Sequence, residues 1–176
     1  MKYFTLFLFI LVLFSACDLA SPIVISKKND LSKEKESKAD KRKTNKAIVE
    51  IVDAAMDNLG GKYKYGGTTE AGFDCSGLVY NVFKLHDITL PHNSYQQSLV
   101  GKIINLKYED IQKGDLIFFK TNKKSHINHV GIVIEINDDE VKFIHSSTSK
   151  GVIISSTKEP YYKQSFAQVN RILYVQ

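Results

Sequence analysis

The hydrophobic period of this chain changes once, and that change limits its architecture more than any other property. Up to about residue 100 the apolar residues recur at helical spacing. Ile48, Ile51, Val52, Ala55 and Leu59 form one such set, stopped by Gly60-Gly61. Leu78, Val79, Val82 and Phe83 form a second helix that starts at about Asp74, and residues 94–100 predict a third, shorter one. After residue 115 the pattern is that of strands: Leu116–Phe119, Val130–Ile136, Val141–Ser146, Val152–Ser155 and Val169–Tyr174. Asn137-Asp138-Asp139-Glu140 reads as a hairpin connection, Gly114-Asp115 as a turn into a buried strand, and Pro160 with Tyr161-Tyr162 as a short helix or turn. Helices first and strands later predict an α+β domain over residues 46–176, with amino-terminal helices packed on a mostly antiparallel sheet.

What precedes residue 46 has a different character. Phe4 to Phe14 is an apolar run broken only by Thr5, too short to span a bilayer, which takes about 20 apolar residues. Ser15-Ala16-Cys17 ends it. Residues 1–16 therefore read as a signal peptide, and the ending resembles a bacterial lipobox, in which the cysteine becomes the first residue and carries a lipid. Phe14 departs from that pattern, because a leucine is usual three residues before the cysteine. Residues 17–45 read as a Lys-rich tether. Residues 26–46 hold nine Lys/Arg against four Asp/Glu and one large apolar residue, Leu31. Such a segment buries too little to offset its ordering entropy and predicts disorder. The expected setting is the cell envelope, with a membrane anchor at Cys17.

Charge excludes one class of partner. The chain's net charge is +5, but residues 47–176 carry fourteen basic and fourteen acidic side chains, so the excess lies wholly in residues 26–46. A domain of zero net charge lacks the electrostatic footprint of a nucleic-acid binder.

With Cys17 lipidated, Cys75 is the remaining thiol, and an exported protein seldom keeps one without use. Cys75 stands at the predicted start of a helix, where unpaired N–H groups and the helix dipole favour a thiolate. Asp74 is a plausible N-cap, and Gly72 and Gly77 permit close backbone approach. A nucleophilic thiol needs a base, and the base needs an orienting partner. Of the five histidines, His86 is expected at the surface at the end of the second helix, His92 in a loop, and His126 in a Lys-rich loop. His126 and His129 have no predicted helix or carboxylate cluster to complete a metal site. His129 and His145 lie on neighbouring strands. A hairpin centred on Asp138 would set His145 opposite Gly131 and diagonal to His129, within reach of two rings.

The motifs in order are Tyr63-Lys64-Tyr65-Gly66-Gly67, FDCSGLV at 73–79, Leu90-Pro91 with Ser94 and Gln97, GDLIFF at 114–119, HVGIVI at 129–134 and FIHSS at 143–147. Together they resemble the NlpC-like family of cell-wall cysteine endopeptidases over nearly all of residues 46–176. The resemblance implies a papain-like fold and a triad of Cys75, His129 and His145. It places Tyr63 beside the nucleophile, sharing the oxyanion with the Cys75 backbone N–H, and Asp74 and Ser76 along the substrate site. It implies a thiol protease that cleaves peptidoglycan stem peptides at the bond between D-glutamate and the diamino acid, with no metal or organic cofactor; a monomer is expected. A catalytically inactive peptidoglycan-binding module and a papain-like amidase acting on another cell-wall amide are the alternatives. His92-Asn93 stands where the family has an Arg between Pro and Ser, which bears on substrate contacts.

Overall fold

The computed structural model describes residues 25–104, 110–122 and 126–174, with side chains from residue 37 onward. The expected signal peptide, residues 1–16, and Cys17 lie outside the described residues. The chain divides into two units, residues 1–35 and 36–176. Helix α1 runs from Ile25 to Met56, so the backbone expected to be coil over residues 26–46 is helical. The residues explain the correction. The stretch contains neither Gly nor Pro, and nine of its 21 residues are Lys or Arg, which lose little rotamer freedom in a helix. Lys46 and Glu50 add an i,i+4 ion pair at 3.4 Å. Ile51 and Ala55 are fully buried, as their spacing predicts. Leu59 lies past the helix end and is half exposed.

A two-stranded ribbon follows, β1 (Thr68–Thr69) with β2 (Gly72–Phe73). Next come α2 (Cys75–Lys84) and α3 (Ser94–Gln97). The main sheet contains β3 (Lys102–Ile104), β4 (Leu116–Phe119), β5 (His129–Asn137), β6 (Glu140–Ser147), β7 (Gly151–Ser156) and β8 (Phe166–Arg171), in the order β3-β8-β4-β5-β6-β7. Every pairing in it is antiparallel. Helix α4 (Pro160–Ser165) returns the chain from the β7 edge to β8. The strand expected at Val169–Tyr174 instead begins at Phe166, directly after α4.

The alternation of β4 gives both faces of the sheet a core. Leu116 and Phe118 pack with Val130, Ile132 and Ile144 under α1 and α2. Ile117 and Phe119 pack with Val133, Phe143, Tyr162 and Val169 on the other side. Asp115 does more than make a turn. It is buried and takes two 2.9 Å bonds from Arg171, one from Nε and one from a terminal guanidinium nitrogen, which lock β8 to β4. Breaking such a pair leaves a buried charge uncompensated, at a cost of about 3–5 kcal/mol.

Candidate active site

Cys75 is the first residue of α2, and the preceding residue builds its surroundings. Asp74, in an extended conformation, caps the helix by accepting from the Gly77 N–H at 2.6 Å. The same carboxylate accepts from the Ser76 hydroxyl at 3.0 Å and from the Gly66 N–H at 2.9 Å. Asp74 thus ties the Tyr63–Gly67 loop to the helix start. The two glycine-bearing segments touch: a Cβ on Gly77 would lie 1.9 Å from the Gly67 carbonyl oxygen, which no side chain could accommodate. Ser76 is buried with its hydroxyl turned to Asp74.

The backbone N–H groups of Val130, Ser76 and Cys75 itself favour the charged form of the Cys75 sulfur. Val130 immediately follows His129, so the nucleophile candidate sits at the opening of β5. The expected activation by the helix start is present in these N–H groups, but it is outweighed. Burial first, and then the Asp74 carboxylate, push the thiol up to about 11. Burial pushes His129 down to about 4. Burial thus works against charge on either group and opposes the thiolate expected from the helix start. Burial and the Cys75 and Asp74 charges also raise the Tyr63 phenol, in that order, which places its ring near both.

His129 and His145 meet. His129 Nε2 lies 2.9 Å from His145 Nδ1, with ring centroids 4.8 Å apart and planes at 82°. The route to this contact differs from the expected one. The turn pairs Asn137 with Glu140, a register that, continued unbroken, would set His145 opposite Ile132 and send the two rings to opposite faces. A bulge at Ile134 takes up one residue, so that Val133 pairs with Phe143 and Ile132 with Ile144. Val133 and Ile136, three residues apart, consequently join the same cluster. Gly131 then faces His145: a Cβ there would lie 2.7 Å from Phe143 Cδ2 and 3.3 Å from His145 Cβ. Gly131→Ala should therefore push β6 away and separate the imidazoles. The expected result is a loss of hydrolysis of 10²-fold or more, on the scale of a roughly 1 Å misplacement, with a lowered melting temperature. Wild-type activity in that variant would contradict the placement.

Sequence reasoning missed the far side of His145. This ring is fully buried. Its Nε2 faces the Tyr162 hydroxyl at 3.1 Å and the Ser155 hydroxyl at 3.2 Å. The one available signal was a serine at an inward position of a strand, paired with Phe143. Burial, then the positive charge of His129, push His145 down to about 3.

The other histidines go elsewhere. His86, expected at the surface, is half buried 3.9 Å from Glu50. The His126 ring lies edge-on to Tyr95. His92 places Nε2 4.0 Å from Asp74, and Asn93 caps α3 by accepting from the Tyr95 and Gln96 N–H groups. An open cleft of about 330 Å³ borders His129, with Ser147, Lys150, Glu159 and Tyr161 on its walls.

Comparison with known proteins shows what the chain is similar to. The model of the NlpC/P60 family matches residues 60–171. A "Probable endopeptidase" of Haemophilus influenzae is 40% identical over 127 residues, covering 72% of this chain and 75% of that protein. The "Murein DD-endopeptidase MepS/Murein LD-carboxypeptidase" of Escherichia coli is 39% identical over 124 residues, covering 70% of this chain and 62% of that one. Among solved structures, an NlpC/P60 family protein from Bacillus cereus superposes with a TM-score of 0.64 at 34% identity, covering 72% of this chain but 40% of the other.

Proposed function

The chain belongs to the NlpC/P60 family, and on that premise we propose that it is a peptidoglycan endopeptidase cutting stem peptides through Cys75. One observation carries the reading: the ring of His129, at the opening of β5, is held by a second, buried imidazole, and the N–H of the next residue, Val130, acts on the helix-start sulfur of Cys75. The reaction starts from the neutral pair. As a substrate amide carbonyl meets the sulfur, the thiol proton passes to His129 and an S–C bond forms. The Cys75 backbone N–H and the Tyr63 hydroxyl receive the oxyanion, where one such donor is typically worth about 2.7–4 kcal/mol. His129 returns its proton to the leaving amine as the C–N bond breaks. Water then attacks the thioester, giving its proton to His129 and restoring the thiol. His145 keeps the His129 ring oriented throughout.

The bond cut is the one between the γ-carboxyl of D-glutamate and the diamino acid. Mass spectrometry of purified disaccharide-peptide fragments incubated with the protein tests this, with a new diamino-acid amino terminus as the expected product. Intact fragments would refute the activity. The similarity to the murein DD-endopeptidase favours a second reading, in which the cross-link between two stems is cut. That outcome would release separated stems with the glutamyl bond unbroken.

The setting belongs to the same proposal. Cys17 carries a lipid, and the Lys-rich stretch that follows joins the anchor to the domain, which acts as a monomer at the cell envelope. Palmitate labelling of cells should mark the wild-type protein and vanish in Cys17→Ala. Labelling that persists would refute the anchor.

A further inference from the structure

The two imidazoles form a relay whose direction is not fixed by the imidazoles alone. A neutral imidazole has one N–H. In one polarity His145 carries its proton on Nε2 and accepts at Nδ1 from the Nε2–H of His129. His129 Nδ1 is then bare and able to take a proton. In the other, a hydroxyl donates to His145 Nε2, the Nδ1–H of His145 donates to His129 Nε2, and His129 Nδ1 already holds a proton. Only the first polarity leaves His129 a base. It is also the only one that accommodates the imidazolium, which must donate from both nitrogens, without turning a ring.

The deciding groups stand at the far end. The hydroxyls of Tyr162 and Ser155 both lie within hydrogen-bond distance of His145 Nε2. A hydroxyl accepts as well as donates, and the Tyr162 oxygen, 3.1 Å away, can present a lone pair to His145 Nε2. We propose that Tyr162 is a positioning residue: its hydroxyl accepts the Nε2–H of His145 and so sets which nitrogen of His129 is free to receive the thiol proton.

The fold holds Tyr162 for this task. Its ring packs edge-on to Phe143 at 5.0 Å and Phe119 at 5.2 Å, and it is almost fully buried. Helix α4, opened by Pro160, places it there. Burial above all, and then Glu159 and Tyr161 nearby, raise the phenol pKa against the opposing effect of Ser155, so it remains a hydroxyl. The hydroxyl contact thus explains what a six-residue helix between β7 and β8 contributes to the site.

The inference rests on the reading of Cys75 and His129 as the reacting pair, but its test does not depend on turnover. Nitrogen-15 spectra of histidine-labelled protein at pH 7 should find His145 as the Nε2–H tautomer. The double variant Tyr162→Phe/Ser155→Ala should give a mixture of tautomers, because both acceptors are gone while the ring packing remains. In kinetics, Tyr162→Phe should lower kcat about 10-fold with KM changed less than 2-fold. Its acid limb should move to lower pH, because the imidazolium has lost an acceptor. A purely packing role would leave that limb in place. An Nδ1–H tautomer of His145 in the wild type, or an unmoved acid limb in Tyr162→Phe, would overturn the proposal. A wild-type protein that cleaves no peptide would instead refute the enzymatic reading, whatever the tautomer.

Discussion

Cys75→Ser should lower peptide release from purified peptidoglycan by at least about 10⁴-fold, a scale set by the loss of a nucleophile in proteases. The environment makes the expected loss larger than a simple atom swap suggests. Burial holds His129 at about 4, so it is a weak base. A thiol whose charged form is favoured by three backbone N–H groups can surrender a proton to it as the carbonyl arrives. An alcohol is a far weaker acid and cannot. His129→Ala should fall to the same floor by removing the acceptor of that proton. The double variant should be no worse than either single one, because the two residues act as one unit. Circular dichroism and melting should match the wild type for Cys75→Ser. A serine variant within 10-fold of wild-type activity would remove Cys75 from the reaction.

Acid should unfold this domain earlier than its carboxylates alone would require. The unfolded chain binds protons at both histidines below about 6.5, whereas the folded domain refuses them until about 4 at His129 and about 3 at His145. Wherever the unfolded state binds more protons, stability falls as pH falls. The contribution of these two residues is therefore complete above about pH 6.5 and is lost progressively below it. Between pH 6.5 and 5, where few carboxylates titrate, the loss should be about 3 kcal/mol, from about 1.4 kcal/mol per histidine and pH unit once protonation of the unfolded chain is well advanced. That is a substantial part of a typical stability of about 5–15 kcal/mol. Urea unfolding midpoints measured across this window provide the test. A midpoint that stayed constant from pH 6.5 to 5 would show that the imidazoles accept protons in the folded state.

The parts of the site that follow a local rule were legible. Asp74 reads as a cap because a short carboxylate at a helix start has N–H groups to satisfy, and it caps Gly77. His129 and His145 read as sharing a face because strands alternate, and their rings touch. The protonation state of Cys75 was not legible, since the opposing effects of helix start and burial are weighed only once the sulfur's neighbours are known. β1, β2 and β3 are two or three residues long and show no period. The 26–46 segment was misread because its polarity argued against burial, while its helix propensity needed no burial to act. Tyr162 reaches His145 across seventeen residues of chain through α4, a contact that no spacing rule encodes.

The bulge at Ile134 has a consequence for comparing this protein with its relatives. Pairing is the same on either side of that residue whether or not it is there, since Glu135 meets Lys142 and Val133 meets Phe143. Two relatives can thus differ by one residue in this hairpin and still superpose their imidazoles. A gap in their alignment belongs within β5, at the place of Ile134. Put at the turn instead, it would match core positions to surface ones over residues 134–137, while His129 and His145, which flank both placements, would still align.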